Sequence, residues 1–255
     1  MSPVSKDYLW GGTKLKEEFS KTIEETPLAE SWECSTHPDG INIVKDGIFA
    51  GKDLRTVLIE HPEFLGTHPK TKGDLPILIK FIDAKEKLSV QVHPDDDYAR
   101  KYENGSLGKT ELWYVVDAKP DAELVYGFYR DVDREIVQNS LEKGTIEKYL
   151  QKIRVKKDDI FFIEPGTVHA IGEGILIVEI QQSSNLTYRL YDYERRDRKG
   201  KQRELHIDKA LEVINYKGGV QPRQPMRFLQ YAPGCATEFL CRCQYFQVER
   251  MLINN

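Results

Sequence analysis

The stretch LSVQVHPDD, residues Leu88 to Asp96, alternates apolar and polar side chains. A period of two is that of a β-strand, whose successive side chains point to opposite faces. Leu88, Val90 and Val92 are therefore expected on one face and Ser89, Gln91 and His93 on the other. The polar face has none of the lysine or glutamate that solvates an ordinary exposed strand. Either it is simply wet, or it looks into a cavity where a glutamine and a histidine two residues apart have something to hold.

Similar runs lie on both sides. LPILIKFID and ELWYVVDA flank it, followed by AELVYGF, DDIFFIEPG, ILIVEIQQ and TYRLYDY, all rich in β-branched and aromatic residues and separated by polar turns. GKDLRTVLIEHPEFLG reads as a helix. RDVDREIVQNSLEKG reads as another, with Asp131 as its N-cap and Gly144 as its stop, and TIEKYLQKI as a second helix after it, a helical insertion near 131–153. A further helix in HIDKALEVINY ends before the Gly- and Pro-rich KGGVQPRQP, and TEFLCRCQYFQVERMLINN reads as two more strands. Two units are expected: 1–217, and a linker with an incomplete β-unit over 218–255. The whole is mainly β, a barrel or sandwich with helical additions. The alternating polar faces favour a barrel with a usable interior, where inward polar groups require hydrogen-bond partners, a metal or a ligand.

At 255 residues and a formal net charge of -4, the chain gives no global reason to expect nucleic acid or membrane as partner. The start, MSPVSKDYLWGG, lacks the order of a secretory signal, and no apolar run approaches a membrane span, so a cytoplasmic protein is expected. Cys34, Cys235, Cys241 and Cys243 form neither a disulfide framework nor a CxxC pair and read as reduced thiols.

His93 and His169 are the candidates for chemistry, the latter delivered by the turn through Pro165 and Gly166 in IEPGTVHAIGEG. Between them, GKTELWYV places Lys109, Glu111 and Trp113 on one strand face. Two imidazoles and a carboxylate suit Zn²⁺ or a similar divalent ion with an open position. Their spacing is not a short motif and leaves satisfied structural histidines as the alternative. The acidic HPDDD reads as a solvated turn, and YERRDRKGKQR as a mobile charged loop with some attraction for phosphate.

WGGTKL, AESWECSTHPDG, PILIKFIDAKEKLSVQVHPDD, GKTELWYV and IEPGTVHAIGEGILIVEIQQSSNLTYRLYDY resemble, in this order from Trp10 to about Tyr193, the class I mannose-6-phosphate isomerases in their shorter bacterial form. The resemblance implies a cupin fold, a double-stranded β-helix or jelly-roll barrel, one Zn²⁺ per chain, and interconversion of mannose 6-phosphate and fructose 6-phosphate. It places the metal ligands on His93, Glu111 and His169, with Gln91 as a fourth, so the polar face of the opening stretch is expected to look into a metal-containing pocket. It places the active-site arginine on Arg189, the sugar-phosphate site on Lys80 and Ser89, and further polar lining on Lys109 and Glu179. Glu179, Lys109 and a metal-bound hydroxide are all open as the proton-transfer group. Each residue also has a plain alternative: Lys80 snorkelling to the surface, Glu179 exposed on its strand, Arg189 stacked among Tyr188, Tyr191 and Tyr193.

That family continues through a second, smaller β-domain, whereas this chain stops at Asn255. Strands from Thr237 onward are expected to leave an unpaired edge that invites dimerisation or aggregation, and a monomer or weak homodimer is expected. The rival functions are a non-catalytic sugar-phosphate-binding cupin and an Fe²⁺-dependent cupin oxygenase.

Overall fold

In a computed structural model, residues 1–23, 26–67, 71–197, 199–222 and 228–253 are described. The strands in chain order are β1 (Val4–Lys6), β2 (Glu30–Cys34), β3 (Ile77–Ala84), β4 (Val90–Val92), β5 (Glu111–Ala118), β6 (Glu123–Phe128) and β7 (Leu150–Arg154). Then follow β8 (Ile160–Ile163), β9 (His169–Ala170), β10 (Ile175–Gln182), β11 (Tyr188–Tyr191), β12 (Phe228–Ala232), β13 (Cys235–Arg242) and β14 (Gln247–Ile253). The helices are α1 (Lys14–Glu17), α2 (Leu54–Glu60), α3 (Asp96–Tyr102), α4 (Arg134–Glu142) and α5 (Ile207–Val213). No helix among these residues is long and apolar enough to cross a membrane.

Two antiparallel sheets face each other. One has the order β1-β2-β3-β10-β5-β8, the other β11-β4-β9-β6-β7, and neighbours in space are mostly distant in sequence, as jelly-roll wrapping requires. Between the sheets lie Trp10, Ile82, Trp113, Tyr126, Phe161 and Ile177. β10 sits at the middle of its sheet and is covered on both faces, which is why ILIVEIQQ reads as a nearly continuous apolar run.

The outer face of the second sheet is sealed by helices. Val90 and Val92 pack there with Val137 of α4 and Leu211 of α5, as the alternation at the start requires. Leu88 departs from it. It precedes β4, whose regular pairing begins at Val90, and joins the cluster between the sheets instead.

Three local readings are corrected. The N-cap of α4 is Asp133, whose side chain accepts from the Ile136 N–H at 2.7 Å, rather than Asp131; Gly144 follows the helix at φ +63° as expected. TIEKYLQKI, expected as the second helix of the 131–153 insertion, forms one 3₁₀ turn at Ile146–Lys148 and then β7, because pairing of Leu150 with Phe128 and of Lys152 with Val125 outweighs its helix propensity. HPDDD is no free turn: the Asp95 side chain caps α3 by accepting from the Tyr98 N–H at 2.8 Å.

The last stretch contributes a third sheet, β12-β13-β14, one strand more than the sequence pattern displayed. Its Leu240 and Phe246 pack on Leu112, Ile160 and Phe162, the outer face of the first sheet.

Candidate active site and metal centre

Antiparallel register builds the site. Across the first sheet Trp32, Lys80, Glu179 and Trp113 are successive partners in one row on β2, β3, β10 and β5. Across the second sheet Arg189, Gln91, His169 and Tyr126 form a row on β11, β4, β9 and β6. Glu111 lies two residues before Trp113 and so faces the same way. Residues distant in the chain thus meet because each occupies an inward position at one level of the barrel.

Two glycines permit the close approaches. A Cβ on Gly108 would stand 2.4 Å from the Asp95 carbonyl carbon, so only glycine lets the chain enter β5 beside α3. There the Asp96 carboxylate accepts from the Gly108 N–H at 2.8 Å and from the Gln182 amide at 2.9 Å, and the Gln182 carbonyl oxygen accepts from the Thr110 N–H at 2.8 Å. This brace fixes the strand start that carries Lys109 and Glu111. Gly166, at φ +85° and with Val213 O 2.8 Å from where a Cβ would sit, forms the turn before His169 and donates its N–H to His93 O at 2.9 Å.

His93, Glu111 and His169 are buried, and their ligand atoms lie within 4.8 Å of one another. Among the described residues theirs is the one cluster of three His, Cys, Asp or Glu side chains that converges so closely. The two Nε2 atoms are 3.1 Å apart, and Glu111 stands 3.6 Å from His93 Nε2 and 3.4 Å from His169 Nε2. His169 Nδ1 lies 2.8 Å from Thr167 O; a carbonyl oxygen only accepts, so Nδ1 carries the proton and Nε2 presents its lone pair to the cluster. Gln91 adds its amide 3.3 Å from His169 Nε2.

The electrostatics suit a cation. Burial drives His169 down to about 4 and His93 well below its usual range, so both imidazoles are neutral at pH 7. Burial, then the nearby Glu179 carboxylate, pushes Glu111 up to about 7. Among the described residues, Glu111 Oε1 is buried with no hydrogen-bond donor, and Oε2 has the Lys109 ammonium at 2.9 Å and the neutral His93 Nε2 at 3.6 Å beside it. Two neutral imidazoles and an under-donated carboxylate fit a divalent ion of the borderline class.

Beside them runs an alternating series of charges. Lys109 Nζ is 3.2 Å from His93 Nε2 and 3.8 Å from Glu179 Oε1; Lys80 Nζ is 2.9 Å from Glu179 Oε1 and 3.6 Å from Glu30 Oε2. Burial alone would raise Glu179, but the Lys109 and Lys80 ammoniums outweigh it and hold the carboxyl down at about 2. Indole N–H groups complete the wall, Trp113 donating to Glu179 and Trp32 to Glu30, each at 2.7 Å. Lys80 and Glu179 are therefore both buried, and neither reaches the surface. Arg189 donates from Nε to Ser89 Oγ at 3.3 Å and from Nη1 to Glu204 O at 2.8 Å, rather than stacking on its tyrosine neighbours.

A cavity of about 310 Å³ opens here. Lys80, Ser89, Gln91, Lys109, Glu179 and Arg189 all line it, and two of them, Lys109 and Gln91, also reach the His93, Glu111 and His169 cluster. Glu30, Tyr8 and Arg203 line it as well and were not singled out from sequence. Glu30 lies in the quoted AESWEC, which carries no chemical signature until its strand is paired with β3. Arg203 lies in the stretch read as a mobile loop, yet its guanidinium is held by two hydrogen bonds to Asp192.

The family model for the catalytic domain of type I phosphomannose isomerase matches residues 1–119. The chain is 48% identical over 214 residues to the probable mannose-6-phosphate isomerase GmuF of Bacillus subtilis, covering 84% of this chain and 67% of that protein. It is 42% identical over 247 residues to mannose-6-phosphate isomerase ManA of the same organism, covering 96% and 76%. Its fold superposes on a crystal structure of mannose 6-phosphate isomerase from Bacillus subtilis with a TM-score of 0.92 at 36% identity, covering 99% of this chain and 79% of that one. The converging histidines and carboxylate, the cupin barrel around them and these likenesses over most of the chain lead to one conclusion: the chain belongs to the type I phosphomannose isomerase family.

Proposed function

We propose that this chain interconverts mannose 6-phosphate and fructose 6-phosphate, with His93, Glu111 and His169 holding one Zn²⁺ per chain and Gln91 as a fourth ligand. The observation that carries this reading is that Lys109 and Gln91 join a buried His93, Glu111 and His169 cluster to a cavity lined also by Glu179 and Arg189.

Aldose–ketose isomerisation moves a proton between C1 and C2 through a cis-enediol, so it needs a base, charge stabilisation at the two oxygens and a positioned substrate. A divalent ion held by the cluster supplies Lewis-acid polarisation of those oxygens. Lys109, within 3.2 Å of His93 Nε2, stands where its ammonium faces the same oxygens. Glu179 and Lys109 are the side-chain candidates for the base beside the cluster; a pH–rate profile lost in Glu179→Gln or Lys109→Met assigns it to that residue, and one kept in both leaves it to a hydroxide on the ion. Arg189 holds substrate with its planar fork and stabilises the developing negative charge, while Ser89 beside it faces the phosphate end. Lys80, expected at the sugar phosphate, is matched by two carboxylates, and its first task is to hold Glu179.

A binding-only cupin has no need of Lys109 and Glu179 against the ligand cluster, and a Gln, His, Glu, His set leaves fewer open positions than an iron oxygenase uses. A phosphorylated, charged substrate that does not cross membranes supports a cytoplasmic location. The test is conversion of fructose 6-phosphate by the purified protein, its loss on chelation, and its return with Zn²⁺. Unchanged turnover in a chelated, metal-free sample would overturn the metal assignment, and no isomerisation in any metal state would overturn the reaction.

A further inference from the structure

The cavity wall carries a second arginine, Arg203, to which the reaction at the cluster gives no task. Arg189 and Arg203, from different segments, line the same space. They are close enough for the Arg203 charge to oppose that of Arg189. Like charges at one cavity wall are unfavourable unless an anion answers both.

Arg203 is also oriented. Its Nε donates to Asp192 Oδ2 at 2.8 Å and its Nη2 to Asp192 Oδ1 at 2.6 Å, a bidentate pair, and Asp192 itself is buried. Nη1 finds no hydrogen-bond partner among the described residues. Asp192 offsets only part of the local charge, because its Oδ1, which Arg203 binds, also has the Arg195 guanidinium 3.9 Å away. Lys80, by contrast, is compensated by Glu179 and Glu30 and offers little attraction to a dianion.

Distance along the wall agrees. Arg189 pairs with Gln91 and Gln91 with His169, so Arg189 stands two strand spacings, about 9.5 Å, from the metal-ligand histidine. A hexose phosphate with its reacting carbons at the cluster therefore carries its phosphate toward Arg189 and the space that Arg203 also lines. Resting on the isomerase reading above, we infer that Arg203 grips the substrate's phosphate group with its free Nη1 edge, beside Arg189 and Ser89, and that Asp192 is the positioning residue that aims it.

Inorganic phosphate tests this without turnover. Calorimetric titration of the wild-type holoenzyme should show phosphate binding that competes with mannose 6-phosphate, and Arg203→Gln should weaken it about tenfold or more. In kinetics, the preference for mannose 6-phosphate over mannose, taken as the ratio of their kcat/KM values, should fall by a similar factor. Asp192→Asn should give the same pattern in weaker form. Because Arg203→Gln leaves Asp192 unpaired, Arg203→Lys is the companion variant: it keeps the charge but loses the fork, and phosphate affinity should fall several-fold in a protein that melts normally. Unchanged phosphate affinity and an unchanged substrate ratio in folded Arg203→Gln or Arg203→Lys overturn the assignment. A wild-type protein that binds phosphate through Arg203 but isomerises nothing would leave this site standing and remove the proposed reaction instead.

Discussion

His93, Glu111 and His169 form a set of three, and removing one takes away both affinity and geometry. His93→Ala, Glu111→Ala and His169→Ala should each lower bound metal and abolish isomerisation, measured by elemental analysis and by fructose 6-phosphate turnover. Full metal content with normal turnover in any of them removes that residue from the ligand set. His61→Ala is the control, because His61 stacks on Phe64, 5.3 Å between centroids, in a cluster with Phe49; the other control the sequence suggests, His68, lies outside the described residues. Arg189→Lys retains charge but not the fork, so kcat should fall by at least about tenfold, about 1.4 kcal/mol of barrier, with metal content unchanged. A variant with wild-type kcat and a raised KM would show that Arg189 only holds substrate. The buried His169 also sets a pH dependence. Its folded-state value, about 4, lies below the unfolded 6.5, so its neutral form stabilises the metal-free protein fully above about 6.5, and that contribution is lost as pH falls toward about 4. Thermal melts of chelated protein should show this slope, and His169→Gln should reduce it.

At the scale of elements, the cross-strand rows do the positioning. Trp113 donates to Glu179 from the next strand, and a hydrogen bond to a buried charge contributes about 1.5–3 kcal/mol. Trp113→Phe should therefore cost at least about 1.5 kcal/mol in urea unfolding and lower kcat while metal content is retained; unchanged stability and kcat would show that the indole N–H does not hold Glu179. Asp133→Ala removes the cap of α4, none of whose residues line the cavity, and should cost about 1 kcal/mol with little effect on turnover. Asp131→Ala, at the position the sequence favoured, should leave the helix start intact. It instead accepts from the Gly218 N–H at 2.9 Å, tying the loop before α4 to the segment after α5.

Over the whole molecule, the third sheet is attached to the catalytic barrel by packing and by polar ties. Phe246 and Leu240 cover Leu112 and Phe162, while Tyr245 donates to Asp96 at 2.8 Å and Arg250 to Asp158 at 2.8 Å. Since Asp96 also anchors the backbone just before Lys109, a change in that sheet reaches the site through one carboxylate. Phe246→Ala should destabilise the protein by about 3–5 kcal/mol, read from denaturant melts, with unfolding of the barrel and the third sheet in one transition. Two separated transitions would show that the sheet is an independent unit.

The fold and the reaction class were legible in the chain itself, and so were the three side chains that converge, His93, Glu111 and His169. LSVQVHPDD announces a strand with an unsolvated polar face, IEPGTVHAIGEG a turn delivering a histidine, and GKTELWYV a carboxylate and an amine on one face, because a period of two fixes which side chains share a face whatever the strand's neighbours are. The neighbours themselves were not legible. Pairing β3 with β10 and with β2 is a long-range choice that sets Lys80 between Glu179 and Glu30, and pairing β7 with β6 makes a strand of the end of TIEKYLQKI. Such contacts gain their energy from desolvation and from charges brought together across the barrel, and neither exists until distant segments meet.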